Sequence, residues 1–352
     1  MTTGPAPIGS IYLELFARIG ETLTSAFHLD EDLVRILSAA LEAAEARRGR
    51  LMLLDMHREK MVVRAVAGQG FAEGEGVGAF VPEGPPPSGM LRVPLVGRGE
   101  PVGLLELDLT GGGPLPDDRR RLVVAVAAQA ALFVEHARQI RGNRRMFFDI
   151  IVSLASAVDA KDAYTHSHTV RVAEVALLLG RRLGVAGRER EALLLAALLH
   201  DVGKIAIPDA ILKKPARLDP DETEIMRGHP AAGAAMLRHV RALRDVVPGI
   251  RHHHEHWDGS GYPDGLAGAA IPRSARIILV ADAFDALTSN RVYRPGVDAA
   301  LALEAMRPYS GRQFEPEVFA ALETLVREQP PGLAEAERPG EPDLFDLLRR
   351  GI

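Results

Sequence analysis

The run His252-His253-His254-Glu255-His256-Trp257-Asp258-Gly259-Ser260-Gly261-Tyr262-Pro263 concentrates more coordinating chemistry than any other stretch of the chain. Three consecutive imidazoles cannot all face a core, because each buried ring nitrogen needs a partner. Adjacent histidines ahead of a glycine-rich turn are instead suited to holding a ligand beside backbone that bends sharply. Nine of the twelve histidines lie between His166 and His256, and the same region contains His200-Asp201 and, further on, Asp282. Imidazole nitrogen mixed with carboxylate oxygen is the donor set that a divalent transition metal recruits.

In chain order the motifs are Thr165-His166-Ser167-His168-Thr169-Val170-Arg171-Val172-Ala173, then His200-Asp201-Val202-Gly203-Lys204, then His229-Pro230. They continue with His253-His254-Glu255 joined to Asp258-Gly259-Ser260-Gly261-Tyr262-Pro263 as one motif, and end with Ala281-Asp282-Ala283-Phe284-Asp285-Ala286-Leu287-Thr288. This ordered set resembles the HD-GYP family, the branch of the HD metal-dependent phosphohydrolases that hydrolyses bacterial cyclic dinucleotides, principally cyclic di-GMP. The resemblance covers roughly residues 147 to 328. A lone His-Asp pair is common by chance; five separate motifs in order are not.

The resemblance implies two divalent metal ions per chain, iron or manganese suiting the donors best. It assigns His168, His200, Asp201 and Asp282 to one ion, and Asp201, His229, His253 and His254 to the other. Asp201 bridges them, because a carboxylate has two oxygens. Two such cations lower the pKa of a shared water and offset charge developing at phosphorus. Lys204, expected one helical turn after the His-Asp pair, is placed to neutralise phosphate charge or protonate a leaving group. Gly261, Tyr262 and Pro263 match the loop at the family's active-site mouth, where Tyr262 is suited to stacking on guanine or docking a partner such as a GGDEF domain. Arg291 and Arg294 align with positions that bind substrate phosphate in relatives, a task for which a planar guanidinium fork is fitted. Some relatives hold a third ion through a Glu one turn before the residue aligned with His168. Here that place is Tyr164, a poor ligand, and Asp162 points off that face, so the expectation is two ions. His166, His252 and His256 adjoin ligands and are expected to support them or be solvated. His28, His57, His136 and His239 stand outside the motifs.

The 352 residues are long enough for two domains, and the 47% apolar content is ample for packed cores. A formal charge of −5 argues against nucleic-acid polymers as the main partner, while a small phosphodiester needs only a local basic patch. The absence of cysteine excludes disulfides, thiolate metal sites and cysteine nucleophiles. Met1 to Ser10 shows no basic segment followed by an apolar run, and Leu122 to Val134 is too short to span a bilayer, so no membrane association and a cytoplasmic location are expected.

Spacing in the first half predicts a helix over 33–46, strands over 50–55, 60–67, 91–96 and 101–109, and a long helix from Pro116 through about Arg141. Helix, strands and closing helix make an α+β layer. With Val102-Gly103-Leu104-Leu105-Glu106-Leu107 and Val126-Ala127-Ala128-Gln129-Ala130-Ala131, this half resembles a GAF domain. A short segment between Phe71 and Met90, and the absence of Cys for a thioether-linked bilin, leave both a sensing and a structural or dimerising role open. Residues 129–160 read as one helix or two broken near Gly142. The second half reads as all-α, with helices over 145–160, 168–183, 188–201, 231–240, 273–289 and 315–327, and a cap at Asp219-Pro220.

The expected architecture is therefore multidomain: an N-terminal segment (1–19), an α+β GAF-like sensor domain (20–141), an all-α HD-GYP domain (142–328) and a Pro/Gly-rich tail (329–352). The expected activity is metal-dependent hydrolysis of cyclic di-GMP to linear pGpG, with onward cleavage to GMP left open, in a chain that forms a parallel homodimer. The alternatives are hydrolysis of another cyclic dinucleotide and a non-catalytic scaffold that binds cyclic di-GMP or a GGDEF domain.

Overall fold

The computed structural model describes residues 29–55, 60–71, 76–81, 84–110, 115–161, 168–290 and 295–328. The chain divides into two compact units, Met1–Arg144 and Arg145–Ile352. Arg291, Arg294, Tyr164, Asp162, His166, His28, His57 and the tail beyond Glu328 lie outside the described residues.

In the first unit, helix α1 (Leu29–Ala44) carries Leu33, Ile36, Leu37, Ala40 and Ala44 at three- and four-residue spacing, all buried, behind an acidic first turn that suits the positive end of the helix. Strands β1 (Arg48–Asp55), β2 (Lys60–Gly68), β3 (Phe80–Val81), β4 (Met90–Gly97) and β5 (Glu100–Asp108) follow, then helix α2 from Asp117. The strands form one antiparallel sheet in the order β3-β2-β1-β5-β4. Alternation sends Leu51, Leu53, Val93, Leu95, Leu105 and Leu107 into one core with α1 and with Leu122, Val126, Ala130 and Phe133 of α2. At Gly103 a β-carbon would lie 2.3 Å from the Met52 carbonyl oxygen, so only glycine permits this approach of β5 to β1. Glu106 is fully buried and stands opposite both Arg50 and Arg92 in register, each guanidinium 2.6 Å from its carboxylate. Pairing on both sides is what makes a buried carboxylate tolerable.

Helix α2 (Asp117–Lys161) runs through Gly142 without a break, so the one-helix reading of residues 129–160 holds. In the second unit it is followed by α3 (His168–Arg182), α4 (Gly187–Leu199), a 3-10 turn (Val202–Ala206), α5 (Asp209–Leu212), α6 (Pro220–Arg227), α7 (His229–Leu237), α8 (Val247–His252), α9 (Arg273–Thr288), α10 (Ala299–Met306) and α11 (Pro316–Glu328). Helix α9 packs against α3, α4, α8, α10 and α11, and its run from Ile277 to Ala281 is buried throughout. Leu193 to Leu199 of α4 is buried in the same way. A helix apolar on every side belongs at the centre of a bundle. Asp219 begins α6 with a capping box, its carboxylate accepting from Glu222 N and the Glu222 carboxylate from Asp219 N. Among the described residues no helix is long and apolar enough to cross a membrane.

One local expectation is corrected. Helix α4 stops at Leu199 instead of continuing to Asp201, and Asp201 opens the 3-10 turn with φ −95° and ψ 5°. Lys204 therefore follows the His-Asp pair by one 3-10 turn, which places it over Asp201.

Candidate metal centre

Helix ends in the second unit deliver most of the donors. His168 is the first residue of α3 and His229 the first of α7; His200 directly follows α4 and His253 directly follows α8. Asp282 alone comes from a helix interior, that of α9. The chain so folded brings together Asp201, His229, His253 and His254 in one group, and His168, His200 and Asp282 in another. In each group one donor atom per residue lies within 4.8 Å of all the others, a spread that a cation about 2.0–2.2 Å from each donor can draw together.

Asp201 joins the groups. Its Oδ1 is 3.2 Å from His229 Nε2 and 3.9 Å from His253 Nε2, while its Oδ2 is 3.4 Å from His200 Nε2. Lys204 Nζ sits 2.8 Å from the same Oδ2. The close approach of the 3-10 turn to α7 makes this geometry possible: a β-carbon on Gly203 would lie 1.8 Å from the His229 carbonyl oxygen.

The ring orientations are set from behind. His200 Nδ1 is 2.8 Å from the Ala197 carbonyl, His229 Nδ1 2.8 Å from that of Met226, and His253 Nδ1 2.7 Å from that of Ile250. His168 Nδ1 is 2.7 Å from Asp285 Oδ2. Carbonyls and carboxylates only accept, so each Nδ1 carries a proton and each Nε2 is the atom turned to the centre. His200 Nε2 is buried and has no hydrogen-bond partner. An orphaned imidazole nitrogen among carboxylates is costly unless a cation takes it up, so the residues fit a metal.

The electrostatics agree. Burial alone would raise the Asp201 carboxyl, but Lys204 and His200 outweigh it and hold it well below the usual carboxylate range. Burial, then neighbouring imidazoles, push His253 well down and His254 to about 3, leaving both neutral and ligand-competent near pH 7. At His200 burial is overcome by Asp201, which raises the imidazole to about 9. A cation binding there displaces a proton.

Gly261 and Tyr262 support the site from one side. A β-carbon on Gly261 would meet His256 N at 2.2 Å and the His254 carbonyl oxygen at 2.5 Å. Tyr262 stacks on His254 with ring centroids 4.9 Å apart, and the Arg227 guanidinium lies 5.5 Å from the Tyr262 centroid. Burial and the nearby Asp201 push the Tyr262 phenol up to about 12. Pro263 follows, half-buried, through a cis peptide.

His252, Glu255 and Asp264 form a third group of donors, but their atoms are already engaged. His252 Nε2 and the Arg251 guanidinium both bind Asp264, and the buried Glu255 carboxylate accepts from Asp264 N and Leu266 N. The group ties the Gly259–Pro263 loop to α8. His256 binds Ser260 Oγ, while His136 and His239 are exposed.

Asp285, Arg171, Glu255 and Arg227 support the donors and were not singled out by sequence. Asp285 holds His168 while accepting from Arg171 Nε at 2.6 Å. Its one legible signal was its place three residues after Asp282, on the same helix face.

Residues 153–318 match the HD domain family. The chain is 45% identical over 174 residues to the cyclic di-GMP phosphodiesterase response regulator RpfG of Xanthomonas campestris pv. campestris, covering 48% of this chain and 45% of that protein. It is 44% identical over 174 residues to the cyclic di-GMP phosphodiesterase PA4108 of Pseudomonas aeruginosa, covering 49% and 41%. It is 40% identical over 206 residues to 3'3'-cGAMP-specific phosphodiesterase 2 of Vibrio cholerae, covering 58% and 39%. The chain thus spans less than half the length of each of these relatives. The stretch that matches the HD domain family encloses all seven donors of the paired groups in the helical unit.

Proposed function

We propose that the helical unit hydrolyses a phosphodiester bond of a cyclic dinucleotide, cyclic di-GMP foremost, releasing linear pGpG. The observation that carries this reading is Asp201, which turns one carboxylate oxygen to each donor group. Two divalent ions, iron or manganese by donor type, would be held by His168, His200, Asp201 and Asp282 and by Asp201, His229, His253 and His254. Such ions acidify water and neutralise charge on phosphate oxygens. The chain's own contribution is orientation: the backbone acceptors behind His200, His229 and His253 hold their Nε2 atoms toward the Asp201 carboxylate. Lys204 contributes a cation beside Asp201, placed to meet phosphate charge or a leaving oxygen. Arg291 and Arg294 are assigned to the outer substrate phosphate, and Gly261, Tyr262 and Pro263 to the mouth of the site. Tyr262 stacked on His254 serves that mouth by fixing a metal donor, and the exposed Asp258, Ser260 and Asp264 around it offer a polar edge to a GGDEF-type partner.

A second substrate, a mixed guanine–adenine cyclic dinucleotide, is favoured by the relative of that stated specificity at 40% identity. Anaerobically purified protein loaded with Mn2+ or Fe2+ should cleave cyclic di-GMP faster than 3'3'-cGAMP, with pGpG seen by chromatography. The reverse preference selects the second substrate, and metal-loaded protein that cleaves neither refutes hydrolysis and leaves a binding scaffold.

The first unit is proposed as a GAF-like domain that regulates the second, supported by its sheet order and by helices packed on one sheet face. A parallel homodimer through α2 is proposed from Val124 and Leu132, 50% and 55% exposed on that helix. Light scattering should give a dimer for the full chain and a monomer for Leu132→Glu; a monomeric parent chain contradicts it.

A further inference from the structure

Two polar side chains at the C-terminal end of α2 reach the segments that carry His168 and His200-Asp201, and neither is a metal donor. Asp159 is 5% exposed; its carboxylate accepts from Thr169 N at 3.2 Å and from Thr169 Oγ1 at 2.6 Å. It thereby caps the first turn of α3, whose first residue is His168. Two residues on, Lys161 Nζ donates to three backbone carbonyls, those of Lys204 at 3.2 Å, Ile205 at 3.0 Å and Ile207 at 2.8 Å, with Asp209 Oδ1 at 3.5 Å. The three acceptors belong to the loop that directly follows Asp201 and carries Lys204. An exposed lysine ordinarily gives its protons to water and keeps its rotamer freedom. Here the ammonium converges on one piece of backbone and fixes it.

Either contact alone would be a cap or a loop tie. Together, on one turn of one helix, they anchor two chain segments that are far apart in sequence, each ending in a donor to the same group of His168, His200 and Asp282. Apart from the shared Asp201, the other group hangs from different supports, His229 and His253 being held by carbonyls of α6 and α8. We infer that Asp159 and Lys161 are positioning residues that brace His168 against the His200-Asp201 pair; this rests on the two-metal reading above. The brace acts chiefly on one of the two metal sites. Because both residues belong to α2, a rotation or shift of the end of that helix changes the spacing of this donor group directly.

The test uses the full chain with Lys161→Met, Asp159→Asn and Lys161→Arg, and with Lys213→Met as a control that removes a lysine paired, among the described residues, with exposed Asp209. Two readouts are taken: hydrogen exchange of peptides spanning 168–172 and 200–207, and Mn2+ affinity by titration. Lys161→Met should raise exchange over 200–207, Asp159→Asn should raise it over 168–172, and each should weaken one Mn2+ site about tenfold while the other moves less, as removal of outer supports does elsewhere. Lys161→Arg, which keeps donors for the carbonyls, should recover most of the affinity, and Lys213→Met should leave both readouts at the parent level. Unchanged exchange in both variants overturns the brace, as does raised exchange with unaltered Mn2+ binding. A parent chain that binds no Mn2+ refutes the two-metal reading instead, and the brace is then decided by exchange alone. Should Lys161→Met fail to fold, the milder Asp159→Asn carries the same comparison.

Discussion

Asp285→Asn changes the support of one donor while keeping the shape of the side chain. Asp285 is 3% exposed and accepts from His168 Nδ1 at 2.7 Å, Arg171 Nε at 2.6 Å, Arg171 Nη2 at 3.2 Å and Ser289 Oγ at 2.9 Å. Burial alone would raise its carboxyl, but the bonds from His168 and Arg171 outweigh that and keep it ionised. Asparagine offers one acceptor oxygen, and its amide nitrogen would face either the His168 Nδ1 proton or the guanidinium, donor against donor. His168 then loses its fixed tautomer, and a proton on Nε2 blocks the atom meant for the metal. Loss of such a support costs roughly 10- to 100-fold in metal affinity, or about 1.4–2.8 kcal/mol. A further ~1.5–3 kcal/mol of fold stability goes with a lost charge-assisted bond to Arg171. Mn2+ titration followed by electron paramagnetic resonance, with thermal melts on the same samples, measures both. Ser289→Ala, which removes only a neutral donor to the same carboxylate, should leave Mn2+ affinity within about twofold, well short of the effect of a lost outer support. A folded Asp285→Asn protein with parental Mn2+ affinity refutes the reasoning.

Asp201→Asn should abolish hydrolysis and deplete both ions while the circular dichroism spectrum is retained; near-normal turnover with full metal content contradicts the bridging role. Arg291→Ala and Arg294→Ala should each weaken substrate binding by roughly 1.5–3 kcal/mol with metal content unchanged; parental KM in both removes them from the site. In the first unit, hydrogen bonds from Thr110, then Arg48, lower the Asp108 carboxyl to about 2. A depressed folded pKa stabilises above the unfolded value of 3.8 and loses that contribution as pH falls through about 2. Thr110→Val should therefore move the acid loss of hydrogen-exchange protection in β1 and β5 to higher pH, and an unchanged profile counts against it.

The donors were legible because each sits in a short motif of unusual composition, and because several histidines in one region have few structural uses. Their supports were not. Asp159, Lys161, Asp285 and Glu255 look like ordinary helix or loop polar residues until the fold shows what they hold. The end of α4 was illegible for a related reason: Leu193 to Leu199 is uniformly apolar, so periodicity runs on into His200-Asp201, and packing of Gly203 on His229 sets the stop. The four long strands announced themselves by alternation between glycine and proline turns. Two-residue β3 is too short for any pattern, and the Arg50–Glu106–Arg92 alignment exists only once three strands are in register.

The central claim is that Asp201 links two metal sites on one chain, and anomalous diffraction at the metal edge from anaerobically prepared crystals tests it most directly. The expected result is two peaks per chain, one among His168, His200 and Asp282, the other among His229, His253 and His254, with a carboxylate oxygen of Asp201 on each. A single peak, a third fully occupied peak, or two peaks with Asp201 bonded to neither would contradict the account.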